Sequence, residues 1–305
     1  MEDAMIVDLP STTVDEVNRR LIIEREAGGA VALGRVLTLV IDSGEDSPET
    51  AIEAANAASH ENPCRIIVLT ECDAPANGLD AEIRLGGDAG ASEVIVLRHC
   101  AEQRNHTDSL ALPLLLPDTP IFAWWPGHAP DSPSNHPIGR LARRRITDSK
   151  MCPNSAQTLR HLARHYEPGD TDLAWTRTSL WRGLAAASLD LPPYDKVTSV
   201  TVSGQTGHPS IGLIQAWFRL KLRIPVTVHH IDEAPAITGI RLDRNSGPIS
   251  FDRPDGLVAN LSQPGQPRHS IPLPIRPLSE CLAEELRRLD ADEVYGEVLE
   301  EFGHG

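Results

Sequence analysis

VALGRVLTLVIDSGEDSPETAIEAANAASHENPCRIIVLT, residues 31–70, places an amphipathic stretch between two apolar runs, and that order decides the fold. The first run, VALGRVLTLVID, reads as a buried strand carrying one glycine. After it, Ser47 is the predicted N-cap of a helix, with Pro48 at its first position and Glu49 in the first turn, where a carboxylate suits the helix dipole. The second run, CRIIVLT, is again a strand without polar alternation. Strand, helix and strand at this spacing make a βαβ unit, and unbroken apolar strands imply a parallel sheet covered on both faces.

Working outward, Val14, Val17, Leu21 and Ile22 share one face of a predicted helix from Thr13 to Glu26, stopped by Gly28-Gly29. Downstream, AEIRLGG, SEVIVLR and IFAWW are further strands, with a short apolar segment from Leu110 to Leu116 and a helix around Ile138 to Arg143 leading into RRITDS. These elements predict a Rossmann-like layered α/β domain over residues 1–168. Before its end, AQTLRHLARHY is helical, with Leu159, Leu162 and Tyr166 on one side. Next, DLAWTRTSLWRGLAAASLDL reads as one long helix, capped by Asp170 or Thr171 and ending before Pro192-Pro193. KVTSVTVSG is a strand, PSIGLIQAWFRLKL a helix started by Pro209, and VTVHHID a strand. AITGIRL, PISFD, GLVANLS and RHSIPLP have the look of an antiparallel meander, and one or two amphipathic helices close the chain. Residues 169–305 are thus expected to form an α+β domain with a mixed or antiparallel sheet, the boundary falling near Glu167 to Asp170.

A chain of 305 residues accommodates two domains of about 150 residues each. With 40% hydrophobic and 23% charged residues it reads as soluble and globular. No apolar run approaches the ~20 residues that span a bilayer. MEDAMIVDLPSTTVDEV is acidic where a secretory signal would be basic and then apolar, so a cytoplasmic location is expected and no membrane partner. The net charge of −15 argues against nucleic acid as a partner. Arg143, Arg144 and Arg145 remain a local basic patch, either a solvated turn at a strand edge or a contact for phosphate or an acidic partner.

Motifs for chemistry are sparse. The glycine clusters at Gly28 to Gly34, Gly86 to Gly90 and Ser203 to Gly212 match neither a dinucleotide fingerprint nor a P-loop, and no cofactor is expected. The third is nonetheless a strand, a small-residue turn and a helix start, which makes Ser203, Gly204, Thr206 and Gly207 either a general anion cradle or simply a tight turn. His161 and His165 lie one helical turn apart without the glutamate of a metalloprotease, and His229-His230 alternate across a strand, so no metal is expected. No GxSxG elbow is present, and no CxxC pair occurs among Cys64, Cys72, Cys100, Cys152 and Cys281.

Between Ser109 and Arg182 stand four of the five tryptophans, Trp124, Trp125, Trp175 and Trp181, in a chain only 4% aromatic. Tryptophan and arginine are enriched at binding hot spots, so this stretch is a packing or docking centre. Its motifs PDTPIFAWWPG, RRITDS and GDTDLAWTRTSLWR resemble the OpcA family, glucose-6-phosphate dehydrogenase assembly proteins of actinobacteria and cyanobacteria, with thinner similarity from about Val36 to Leu289. The resemblance implies a non-catalytic partner of that dehydrogenase in the oxidative pentose phosphate pathway, promoting its oligomeric, active form. The partner-binding candidates are then Trp124, Trp125, Arg143, Arg144, Arg145, Asp170, Asp172, Trp175, Arg177, Trp181 and Arg182. Cyanobacterial members are associated with redox control, which makes the cysteines candidates for a thiol switch whose pairing the spacing does not give. The alternative reading is a sugar-phosphate-binding enzyme or metabolite sensor working through the turn at Ser203.

Overall fold

The computed structural model describes residues 5–27, 36–72, 78–85, 93–190 and 194–304. The predicted stops at Gly28-Gly29 and Pro192-Pro193, the beginning of the first apolar run, and the glycine clusters at 28–34 and 86–90 lie outside the described residues. The chain divides into two compact units, one of Met1–Met151, Gly169–Thr171 and Leu278–Ala291, the other of Cys152–Pro168, Asp172–Pro277 and Asp292–Gly305.

In chain order the first elements are β1 (Met5–Leu9), α1 (Val14–Ala27), β2 (Leu37–Gly44), α2 (Glu49–Ser59), β3 (Cys64–Glu71), β4 (Leu79–Leu85) and β5 (Glu93–His99). Next come α3 (Thr107–Ala111), β6 (Ile121–Trp125), α4 (Pro137–Leu141), β7 (Arg144–Thr147), α5 (Ser155–Arg164) and β8 (Asp170–Asp172). The remainder is α6 (Leu173–Thr176), α7 (Ser179–Leu189), β9 (Val197–Gln205), α8 (Pro209–Leu222), β10 (Val226–Ile231), β11 (Ile237–Arg244), β12 (Ile249–Asp252), β13 (Val258–Ser262), β14 (His269–Pro272), α9 (Leu278–Leu286) and α10 (Glu293–His304).

The first unit is built on an eight-stranded sheet ordered β1-β4-β5-β3-β2-β6-β7-β8. Its centre, β5-β3-β2-β6-β7, is parallel throughout, while β4 runs antiparallel to β5 and to β1. The unbroken apolar runs of β2, β3 and β5 are buried along nearly their whole length, as a sheet covered on both faces requires. Val40, Ile67, Leu69, Ile95, Leu97 and Trp125 pack on one face with Val17 and Leu21 of α1. Neighbouring strand residues point to opposite faces, so Trp124 enters the other layer. The α2 cap differs from the prediction: Pro48 occupies the cap position, its carbonyl accepting from the Ile52 amide at 2.9 Å, with no side-chain cap bond from Ser47.

The second unit carries a six-stranded sheet ordered β10-β9-β11-β12-β13-β14. Only β10 and β9 are parallel, and β11 to β14 form the predicted meander. Val200, Val202, Ile240, Leu242 and Phe251 meet Ile211, Ile214 and Phe218 of α8 in one apolar cluster. A second cluster joins Leu159, Trp175, Leu213, Tyr295 and Val298. The predicted long helix from Asp172 is two helices: α6 stops at Thr176, and α7 begins after Thr178. Asp170 and Thr171 belong to a strand, and the cap is Asp172, whose carboxylate accepts from the Ala174 amide at 2.8 Å.

Cys64, Cys100, Cys152 and Cys281 are buried, and Cys72 is half-buried. Among the described residues no helix is long and apolar enough to cross a membrane.

Candidate functional site

Of the three consecutive arginines, only Arg143 faces solvent. Its guanidinium meets Asp290 Oδ1 at 2.8 Å and the Leu289 carbonyl at 2.9 Å. Arg144 is fully buried on β7, donating to Glu285 Oε2 and to the Asp290 carbonyl, each at 2.6 Å. Arg145 is paired with the Asp170 carboxylate and donates to the Ala142 carbonyl at 3.1 Å. The solvated basic turn anticipated at this position is therefore, for Arg144 and Arg145, a buried strand that ties β7 to the segment Glu285 to Asp290 and to β8. Leaving one member of a buried pair without its partner costs about 3–5 kcal/mol.

The tryptophans are interior. Trp124, Trp125, Trp175 and Trp181 are each no more than 2% exposed. Trp175 donates from Nε1 to Asp292 Oδ2 at 2.9 Å, and the Arg182 guanidinium lies 3.5 Å above its ring. That guanidinium is steered by Thr178 Oγ1 at 2.9 Å and Ser179 Oγ at 3.2 Å. Arg253 covers Trp181 at 4.9 Å while donating to the Leu273 and Ile237 carbonyls at 2.8 and 2.6 Å. Arg177 caps α6 through its amide and is half-buried.

At the second strand-to-helix turn, Gly204 is pressed against backbone: a Cβ there would stand 2.3 Å from the Ala236 carbonyl oxygen. Ser203 is half-buried in β9, and Thr206 is exposed, donating to Asp232 Oδ1 at 2.7 Å. His208 caps α8 by accepting from the Ser210 amide at 3.3 Å. Gly207 and His208 line a cavity of about 270 Å³ together with Arg160, Gln205 and His230.

A site that was not read from the sequence lies in the first unit. The chain leaves β2 for β3 on one side and later returns to β6 on the other, so the strand order reverses between β2 and β6. Open α/β sheets bind ligands outside the carboxyl ends of the strands at such a point. A cleft of about 540 Å³ stands there, lined by Asp42 and Gly44 from β2, Glu71 from β3 and Trp125 from β6. Gly44 has φ +58, a left-handed conformation that favours glycine. Asp42 Oδ1 accepts from the Gly44 amide at 3.2 Å, and Oδ2 stands 3.7 Å from His136 Nε2. Burial pushes the Asp42 carboxyl above its ordinary value despite His136 and the Gly44 amide, and burial holds the His136 imidazole below its own despite Asp42. Arg104 is gripped by both oxygens of Glu71, at 2.5 and 2.6 Å, and by Glu45 at 3.2 Å. The signal available in the sequence was the turn DSGEDSPE, which sets acids where a phosphate-binding turn carries glycines.

Residues 55–164 match the family model described as the glucose-6-phosphate dehydrogenase subunit N-terminal domain, and residues 168–299 match the one described as its C-terminal domain. No curated protein matches the chain. Among solved structures, an oxidoreductase from Sinorhizobium meliloti is similar at 9% identity over 89% of this chain and 95% of that one, with a TM-score of 0.48. An inositol dehydrogenase homolog from Azotobacter vinelandii, complexed with NADH and myo-inositol, is similar at 11% identity over 91% and 89%, with a TM-score of 0.40. Likenesses this slight carry no functional argument. The two model matches run consecutively through most of the sequence, and the chain belongs to the OpcA family, described as glucose-6-phosphate dehydrogenase subunits.

Proposed function

We propose that this chain is a non-catalytic cytoplasmic subunit that binds glucose-6-phosphate dehydrogenase and promotes its assembly and activation in the oxidative pentose phosphate pathway. The observation that carries the reading is the consecutive match of both dehydrogenase-subunit models, over 55–164 and 168–299. The non-catalytic part draws support from the turn after β2. A nicotinamide cofactor in a Rossmann-like sheet sets its pyrophosphate on that turn, and here the turn carries the exposed carboxylates Glu45 and Asp46, which disfavour it. Among the candidate contact residues, Arg143 is exposed and Arg177 and Arg182 are half-buried, so these keep surface that a partner can reach, whereas the four tryptophans are buried.

A binding protein activates an enzyme only by holding its active form more tightly than its inactive one. A coupling of about 1–3 kcal/mol changes apparent substrate affinity about 5- to 150-fold. Dehydrogenase activity is measured against substrate concentration with and without a molar excess of this chain. The half-saturating concentration is expected to fall within that range, and superimposable curves would refute activation.

A second reading, a sugar-phosphate sensor, draws on the cavity beside Gly207 and His208, where Arg160 supplies a cationic group and His230 an imidazole next to the start of α8. It predicts that glucose 6-phosphate raises the melting temperature of the isolated chain.

A further inference from the structure

Binding of the dehydrogenase assigns no ligand to the cleft at the β2–β6 junction, yet its volume of about 540 Å³ lies within the ~300–1,000 Å³ of small-molecule sites. Its polar groups define what fits. Asp42 is an acceptor: Oδ1 is engaged by the Gly44 amide, and Oδ2 stands 3.7 Å from His136, beyond hydrogen-bond reach. Trp125 is a donor: it is 2% exposed, it lines the cleft, and its Nε1 is directed at the Asp42 carboxylate, which it helps keep ionised, without closing to a hydrogen bond of ordinary length. A buried N–H held this loosely is destabilising, and a ligand acceptor at ordinary hydrogen-bond distance recovers the loss.

Charge narrows the class. Asp42, Glu45, Glu71 and Asp131 line the cleft, Arg104 is already held by Glu71 and Glu45, and burial disfavours a proton on His136. A phosphate would meet carboxylates on several sides, and a simple ammonium would leave the indole N–H unmatched. A hydroxyl both donates and accepts, so one hydroxyl answers Asp42 and Trp125 together. Further hydroxyls on the same solute can donate to Glu45 and Asp131. We propose that this cleft binds a neutral polyhydroxylated compound, one that presents a vicinal diol and carries no phosphate.

The diol can belong to a free sugar or to the ribose of a nucleoside. Saturation-transfer NMR on the full chain, with no dehydrogenase present, tests both through the matched pairs D-glucose with glucose 6-phosphate and adenosine with AMP. At least one neutral member is expected to bind, which tells sugar from nucleoside, and its phosphorylated counterpart is expected to bind far less. Asp42→Asn should weaken the neutral ligand about 10- to 100-fold by removing a charged acceptor. Glu45→Lys, at the exposed rim, should admit the phosphorylated one. Silence from both neutral probes would assign the Asp42–Trp125 pair to water and overturn the proposal, as would equal binding of the phosphorylated probes that persists in an Arg160→Glu variant of the other cavity. Unchanged affinity in a folded Asp42→Asn variant would also refute it. Should that variant lose its cooperative melt, Glu45→Lys decides, and continued exclusion of phosphate there counts against the proposal. Because no dehydrogenase is present, failure here leaves the assembly reading standing.

Discussion

Arginine is used differently in the two units. On β7, Arg144 is a buried cation facing a buried carboxylate, with the Glu285 oxygen and the Asp290 carbonyl each at 2.6 Å. On α7, Arg182 is half-buried, lies 3.5 Å above the Trp175 ring and is steered by the hydroxyls of Thr178 and Ser179. In the first unit the charge has been removed from water, so its partner becomes indispensable. In the second the guanidinium keeps part of its hydration and covers an aromatic face. The same residue types, flagged together as a docking centre, thus do separate structural work, and they should respond to substitution very differently.

The largest effect should come from Arg144→Ala, which removes the buried guanidinium from which the buried Glu285 carboxylate accepts. A loss of about 3–5 kcal/mol is expected as a lowered urea midpoint, and Arg144→Met combined with Glu285→Leu should restore most of it, because apolar replacement of a whole buried pair is often neutral. A single substitution costing under ~1 kcal/mol would break the contrast. Arg182→Met keeps an unbranched apolar side chain and removes the charge above Trp175, so about 0.5–2 kcal/mol is expected in the same titration. A cost matching that of Arg144→Ala would show that the stacked cation, too, is fully removed from water. Arg143→Ala should be smallest, about 0–1 kcal/mol, since its pair with Asp290 is exposed. If this variant also binds the dehydrogenase less well while melting normally, the contrast sharpens: Arg143 contacts the partner and Arg144 supports the strand.

How far the sequence foretold this structure depended on the distance over which each decision was made. The βαβ unit was legible because its apolar runs are unbroken, although the helix between them starts at Glu49 behind Pro48 as its cap, not behind Ser47. The meander from β11 to β14 was legible from its turns. In contrast, the break between α6 and α7 has no Gly or Pro to announce it and arises where Thr178 turns its amide and hydroxyl to the Trp175 carbonyl, at 2.9 and 2.7 Å. The burial of Arg144 was hidden because Glu285 lies 141 residues away. For the same reason the cleft escaped: Asp42 lies near the end of β2, whereas Trp125 ends β6 and His136 precedes α4, on the far side of the strand-order reversal. Short polar β8 offers no apolar pattern at all, while β1 does alternate, with Met5, Val7 and Leu9 directed inward.

Recognition of the dehydrogenase is the claim on which the functional account stands, and the mass of the complex tests it most directly. Light scattering on a size-exclusion column, with the two purified proteins from the same source run separately and then mixed, should give a new peak that contains both chains and is heavier than either alone. Two unshifted peaks with unchanged masses at micromolar concentrations would contradict the account.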